Sequence, residues 1–82
     1  MRTAPDDPGS RIGYVPGGWD MFHVGHLNVL RRSRELGDRL VVGVSTDELI
    51  AEYKGAPPVI PFEERLEIVS NVKGVDLAVK QT

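Results

Sequence analysis

Leu40-Val41-Val42-Gly43-Val44 is a continuous apolar run between Arg39 and Ser45. A half-exposed strand would alternate apolar and polar residues, whereas a strand covered on both faces reads as an unbroken run. The run is too short for a helix. It therefore predicts a central strand of a parallel sheet, whose crossover connections supply the covering helices. With 82 residues, there is room for one domain at most. A composition of 40% hydrophobic and 27% charged residues is that of a globular chain and excludes wholesale disorder.

The rest of the chain fits around that strand. Residues 11–16 read as a first strand through Ile12, Tyr14 and Val15, ended by Pro16. A helix is expected over residues 24–36, with Leu27, Leu30, Ser33 and Leu36 at every third position and Gly37 as a left-handed stop. The central strand, residues 39–45, completes a βαβ unit with a right-handed crossover. Ser45 or Thr46 can cap a short helix, residues 47–52, with Asp47 and Glu48 in its acid-favoured first turn. Residues 53–61 hold Lys54, Gly55, Pro57, Pro58 and Pro61 and are expected as a loop on the ligand face. Pro61-Phe62-Glu63-Glu64-Arg65 opens a third helix with Leu66, Val69 and Val72 facing inward, and a third strand is expected over residues 75–79. The order is β-α-β-α-α-β: an incomplete, Rossmann-like α/β unit, a parallel sheet with helices on both faces. Ligands of such sheets bind beyond the carboxyl ends of the strands. Residues 1–10, with Pro5, Asp6, Asp7, Pro8 and Gly9, read as a flexible tail, and residues 11–82 as the ordered part.

Several function classes are disfavoured. A net charge of -2 gives no general attraction to nucleic acid or anionic membrane. Arg31, Arg32 and Arg34 cluster on the first helix, but no aromatic residues interleave with them, so they read as a solvated face. The absence of cysteine rules out disulfides and thiolate metal sites in this stretch. No apolar run approaches membrane-spanning length and residues 1–10 have no apolar core, so a cytoplasmic protein is expected.

The chemistry concentrates in residues 17–26, between the first strand and the first helix. His23 and His26 are three apart and share a helix face. At a helix N-terminus, free N–H groups and the macrodipole favour an anion, and two imidazoles add donors that can follow charge onto a phosphate. Gly25 between them leaves room for that phosphate, and Gly17 and Gly18 permit a close turn. Neither the dinucleotide fingerprint nor the P-loop pattern is present. Asp20 could orient a ligand, hold a histidine, sit near magnesium, or only cap a turn. A zinc site is the weaker alternative, since Asp20 is the one candidate third ligand near the histidines. Lys54 and Arg65 are further anion contacts, although each alone is ordinarily a solvated charge. Trp19 and Phe22 could stack on a base or simply cover the site.

These blocks together resemble a known family. His23-x-Gly25-His26 after Gly18-x-Asp20 resembles the cytidylyltransferase branch of the nucleotidyltransferase superfamily. Leu36 through Glu48, then Tyr53-Lys54-Gly55, Pro61-Phe62-Glu63-Glu64-Arg65 and Val75-Asp76 are similar to later blocks of that family, in order, and most of all to those of glycerol-3-phosphate cytidylyltransferases. The resemblance implies cytidylyl transfer from CTP to a phospho-alcohol such as glycerol 3-phosphate, with Mg2+ on the triphosphate, CTP and the phospho-alcohol as small-molecule partners, and a homodimer. It assigns catalysis to His23, His26 and Lys54, the nucleotide site to Gly17, Gly18, Trp19, Asp20 and Gly25, and substrate binding to Asp47 and Arg65. An ATP-dependent adenylyltransferase of the same superfamily, or a nucleotide-binding fragment without turnover, are the alternatives. Family members carry a further nucleotide-contacting signature that is not found in these 82 residues, so the chain is expected to be the N-terminal part of a catalytic domain.

Overall fold

The computed structural model describes residues 11–82, and the tail assigned to residues 1–10 lies outside them. The described chain runs β1 (Ile12–Gly17), α1 (Val24–Glu35), β2 (Arg39–Ser45), α2 (Asp47–Lys54), α3 (Phe62–Ser70) and β3 (Leu77–Gln81). The α/β class and the order of elements are those expected. The strands form one parallel sheet in the order β1-β2-β3. β2 is hydrogen-bonded on both sides, and Leu40, Val42 and Val44 are 0% exposed.

The helices are arranged differently from expectation. Leu30 of α1 and Val69 of α3 join Leu40, Val42 and Val44 in one core cluster, with Val15, Leu66 and Ala78 packed against it. Successive strand residues point to opposite faces, so α1 and α3 lie on the same face of the sheet. Both crossovers step in the same direction across the sheet, and right-handed connections then put both helices on one side. Among the described residues the opposite face is the more open one, with Tyr14 52% and Leu77 55% exposed. It reads as apolar in β2 because Gly43 has no side chain and Tyr14 lies across it, its hydroxyl donating to Gln81 Oε1.

Four boundaries shift for local reasons. Pro16 does not end β1, which continues to Gly17 because an edge strand tolerates a missing donor. α2 runs on to Lys54 and is closed by Gly55 at φ 79°, whose N–H donates to Ala51 O, so Tyr53 and Lys54 are helical rather than in a loop. β3 starts at Leu77 because Asp76 is used to dock it: Leu40 N–H donates to the Asp76 carboxylate, and Asp76 N–H to Leu40 O. Gly37 is not the left-handed stop. The positive-φ glycines among the described residues are Gly55 and Gly74, and Gly37 instead lies against Arg11 O, which accepts from both Asp38 and Arg39 N–H. Leu36, the last residue of the row that recurs at every third position, is 75% exposed.

Among the described residues, one charged side chain sits inside this fold. Arg65 is 0% exposed. Its Nε donates to Ile60 O at 2.7 Å, Nη1 to Gly18 O at 2.7 Å and to Ser45 O at 2.6 Å, and Nη2 to Asp47 Oδ1 at 2.6 Å. It thereby joins the turn after β1, the end of β2, the start of α2 and the segment before α3. Removing one partner of a buried ion pair strands the others without water. Arg65→Met is accordingly expected to lower stability by about 3 kcal/mol, the low end of the buried-pair range because Asp47 is part-exposed, visible as a lower urea midpoint.

Candidate active site

All three parallel strands end at one edge of the sheet, where the turn after β1 and the start of α2 meet. Residues 18–23 make that turn with two non-glycine residues in the left-handed region, Trp19 at φ 56° and Met21 at φ 51°. Each such residue costs roughly 1 kcal/mol, so the turn is held by its surroundings rather than by preference. Trp19 supplies one hold: it is 6% exposed and its Nε1–H donates to Gly43 O at 3.1 Å. A Cβ on Gly17 would stand 2.9 Å from Trp19 Cε2, so glycine is needed there to admit the indole. Trp19, assigned to the nucleotide site by resemblance, is thus placed in the core, with no open face for a base.

The turn delivers the histidines to the start of α1. His23 is the N-cap residue, and its Nδ1 accepts the Gly25 N–H at 3.0 Å. His26 Nδ1 accepts the His23 N–H at 3.1 Å. The two rings lie against each other, with centroids 4.1 Å apart and 31° between planes. A Cβ on Gly25 would come within 2.7 Å of His23 Cε1, so the glycine makes room for the imidazole that caps the helix. Both Nδ1 atoms act as acceptors, which in the neutral rings puts the proton on Nε2. The pair therefore combines two Nε2–H donors with the positive end of a helix.

The environment keeps His26 neutral. Its ring also meets Trp19 edge-on at 5.5 Å and Phe22 at 5.3 Å. Burial lowers its pKa, the neighbouring His23 and Lys54 push the same way, and Asp20 opposes them. Lys54 itself is exposed at the last turn of α2, close enough for its charge to be felt at both His26 and Asp20.

Asp20, expected to face the nucleotide, is used internally. Its Oδ2 accepts the Val59 N–H and its Oδ1 the Ile60 N–H, both at 2.8 Å. Burial works against its charge, yet those two donors, with Arg65 and Lys54, hold its pKa below the ordinary value. The zinc alternative therefore has no uncommitted third ligand, and the described residues contain no metal-holding cluster of three or more His, Asp or Glu. Asp47, at the first position of α2, accepts from Arg65 with its side chain 39% exposed. Arg65, expected to meet the substrate phosphate, has four of its five donors engaged inside the protein. Gly18 lends its carbonyl to Arg65 and packs on Ile50 and Tyr53. Sequence reasoning missed the main-chain groups of Val59, Ile60 and Ser45, which hold these side chains and carry no side-chain pattern of their own.

Known proteins share these elements. A family model described as cytidylyltransferase-like matches residues 14–82. The chain is 56% identical over 76 residues to an ethanolamine-phosphate cytidylyltransferase of Dictyostelium discoideum, covering 93% of this chain and 21% of that protein. It is 45% identical over 67 residues to an FAD synthase of Pyrococcus abyssi, covering 80% of this chain and 45% of that protein. A lipopolysaccharide core biosynthesis protein of Thermoplasma volcanium superimposes with a TM-score of 0.82 at 35% identity, over 90% of this chain and 60% of the other. The chain thus spans less than half the length of these two curated relatives.

The depressed His26 pKa fixes a pH dependence. The unfolded chain takes up the proton first, so the stabilisation from neutral His26 is present above the ordinary histidine value of about 6.5 and is lost as pH falls toward the folded value. An NMR titration of the ring carbons is expected to put His26 below that value, with the Nε2–H tautomer of both histidines at pH 7.5. An Nδ1–H tautomer for either would contradict the capping geometry.

Proposed function

Since the chain belongs to the cytidylyltransferase-like family, we propose that it carries the α-phosphate half of a nucleotidyl-transfer site and moves a cytidylyl group from CTP to a phospho-alcohol. The observation that carries this reading is the pair of Nε2–H donors at the N-terminus of α1, with the Lys54 ammonium nearby. A phosphate oxygen of the acceptor attacks the α-phosphorus in line with the bond to the β-phosphate. The new P–O bond forms as the old one breaks, and the electron pair leaves with pyrophosphate. No side chain forms a covalent bond, so catalysis rests on positioning and on donors aimed at the charge that builds on the α-phosphate oxygens. Two imidazoles whose Nδ1 atoms are each fixed by a main-chain N–H suit that task, because their Nε2–H groups are oriented before the phosphate arrives. Magnesium, where the triphosphate brings it, would supply charge neutralisation on phosphate oxygens. Asp20 and Asp47 are already engaged by protein donors.

The 56% identity to an ethanolamine-phosphate cytidylyltransferase supports a phospho-alcohol acceptor, and ethanolamine phosphate joins glycerol 3-phosphate as a candidate. A second reading, adenylyl transfer from ATP, is favoured by the 45% identity to an FAD synthase. Pyrophosphate release separates them. Release with CTP and either phospho-alcohol is expected, and release only with ATP and a flavin phosphate would replace the first reading by the second. His23→Ala is expected to lower turnover by about 10²–10³-fold, the usual cost of one transition-state donor. Near-normal turnover in that variant would remove His23 from the chemistry.

A further inference from the structure

Resting on the reading above, we propose that Asp20 and Arg65 are positioning residues that act as one strap, and that neither contacts the nucleotide or the acceptor. The strap closes on the segment between α2 and α3. Asp20 takes the Val59 and Ile60 N–H groups through its two carboxylate oxygens, and Arg65 takes Ile60 O through Nε. Ile60 is therefore gripped at both its N–H and its carbonyl, by an aspartate from the turn after β1 and an arginine from α3. Through Nη1, Arg65 also holds Gly18 O at the start of that turn. The turn contains the left-handed Trp19 and Met21, which would relax without an external hold. It ends at His23, so the strap sets where the histidine pair stands relative to α2 and Lys54.

The bonding leaves little for a ligand. Both Asp20 oxygens have a main-chain donor, and Arg65 is 0% exposed with four donors engaged. A phosphate reaching Arg65 would have to displace protein carbonyls that have no water to take its place. The anion-contacting set then reduces to His23, His26 and Lys54, with the N-terminus of α1.

The test uses Asp20→Asn, Arg65→Lys and the double variant in the full chain. An asparagine amide cannot accept both N–H groups. Amide exchange at Val59 and Ile60 is therefore expected to quicken about tenfold or more in Asp20→Asn, while amides of β2 hold. Unchanged exchange at both would overturn the strap. In turnover, each single variant is expected to lower kcat with both KM values within about threefold, and the double variant to be little worse than the worse single, because coupled residues are non-additive. Separate ligand contacts would instead raise the CTP KM in Asp20→Asn and the acceptor KM in Arg65→Lys, with losses that multiply, and that result would overturn the proposal. If the unaltered chain releases no pyrophosphate with any pair, the functional reading fails, and the exchange measurement in Asp20→Asn still decides the strap. Asp20→Asn keeps the test independent of whether Arg65→Lys folds.

Discussion

The rest of this structure depends on a buried guanidinium. Arg65 is fully enclosed, and a cation there is tolerable only if its donors find partners. It finds them on three carbonyls and one carboxylate, drawn from segments that are far apart in sequence and adjacent only in the folded sheet. The planar fork matters, since a lysine has one nitrogen and cannot reach four acceptors lying around a plane. The Phe62 ring adds a cation–π contact, with the guanidinium carbon 5.9 Å from the ring centroid. The carboxyl-end edge of the sheet is thereby organised before any ligand arrives.

The histidine pair shows how a short chain prepares reactive groups with few residues. A helix start ordinarily needs a capping side chain and an anion site needs separate donors. Here each imidazole does both, accepting a main-chain N–H at Nδ1 and leaving Nε2–H outward. The arrangement requires Gly25, because the capping ring occupies the space a Cβ would take. It also links chemistry to local fold, since protonating either Nδ1 removes a helix cap and a defined donor together. Trp19, Phe22 and His23 around the His26 ring oppose that protonation by excluding water.

Much of this was legible in the sequence. The unbroken run in β2 predicted a sheet centre, and the glycine and histidine spacing located the turn and the start of α1. The structure corrected what depends on partners distant in sequence. The aspartate after a glycine pair and the arginine at a helix start are assigned to ligand sites by resemblance, and the partners that engage them are not legible, because a main-chain N–H or carbonyl acceptor leaves no trace in residue types. Whether Trp19 stacks on a base or covers the site stays open in the sequence because its burial depends on the clearance at Gly17. The open sheet face was hidden for a related reason: Gly43 counts as apolar in a run yet covers nothing, and strand order decides which side the helices take.

Relatives bearing different printed names align with the same elements, and this bears on the division of labour within the site. An ethanolamine-phosphate cytidylyltransferase and an FAD synthase match this chain at 56% and 45% identity. A segment held in common by proteins with such different names is expected to act on what their reactions share. Every nucleoside triphosphate presents an α-phosphorus with the same geometry and charge, whatever its base. On the proposed reading, the helix N-terminus and the two Nε2–H donors would address that phosphate and be indifferent to cytosine, adenine or the acceptor's alcohol. Discrimination must then come from groups that meet the base and the acceptor. Within the described residues, the exposed Tyr53 and Val59 stand beside the strap, on side chains that take no part in holding the histidines. Under the proposed strap, such positions could change identity while Asp20, Arg65 and the histidine cap kept the reacting geometry fixed.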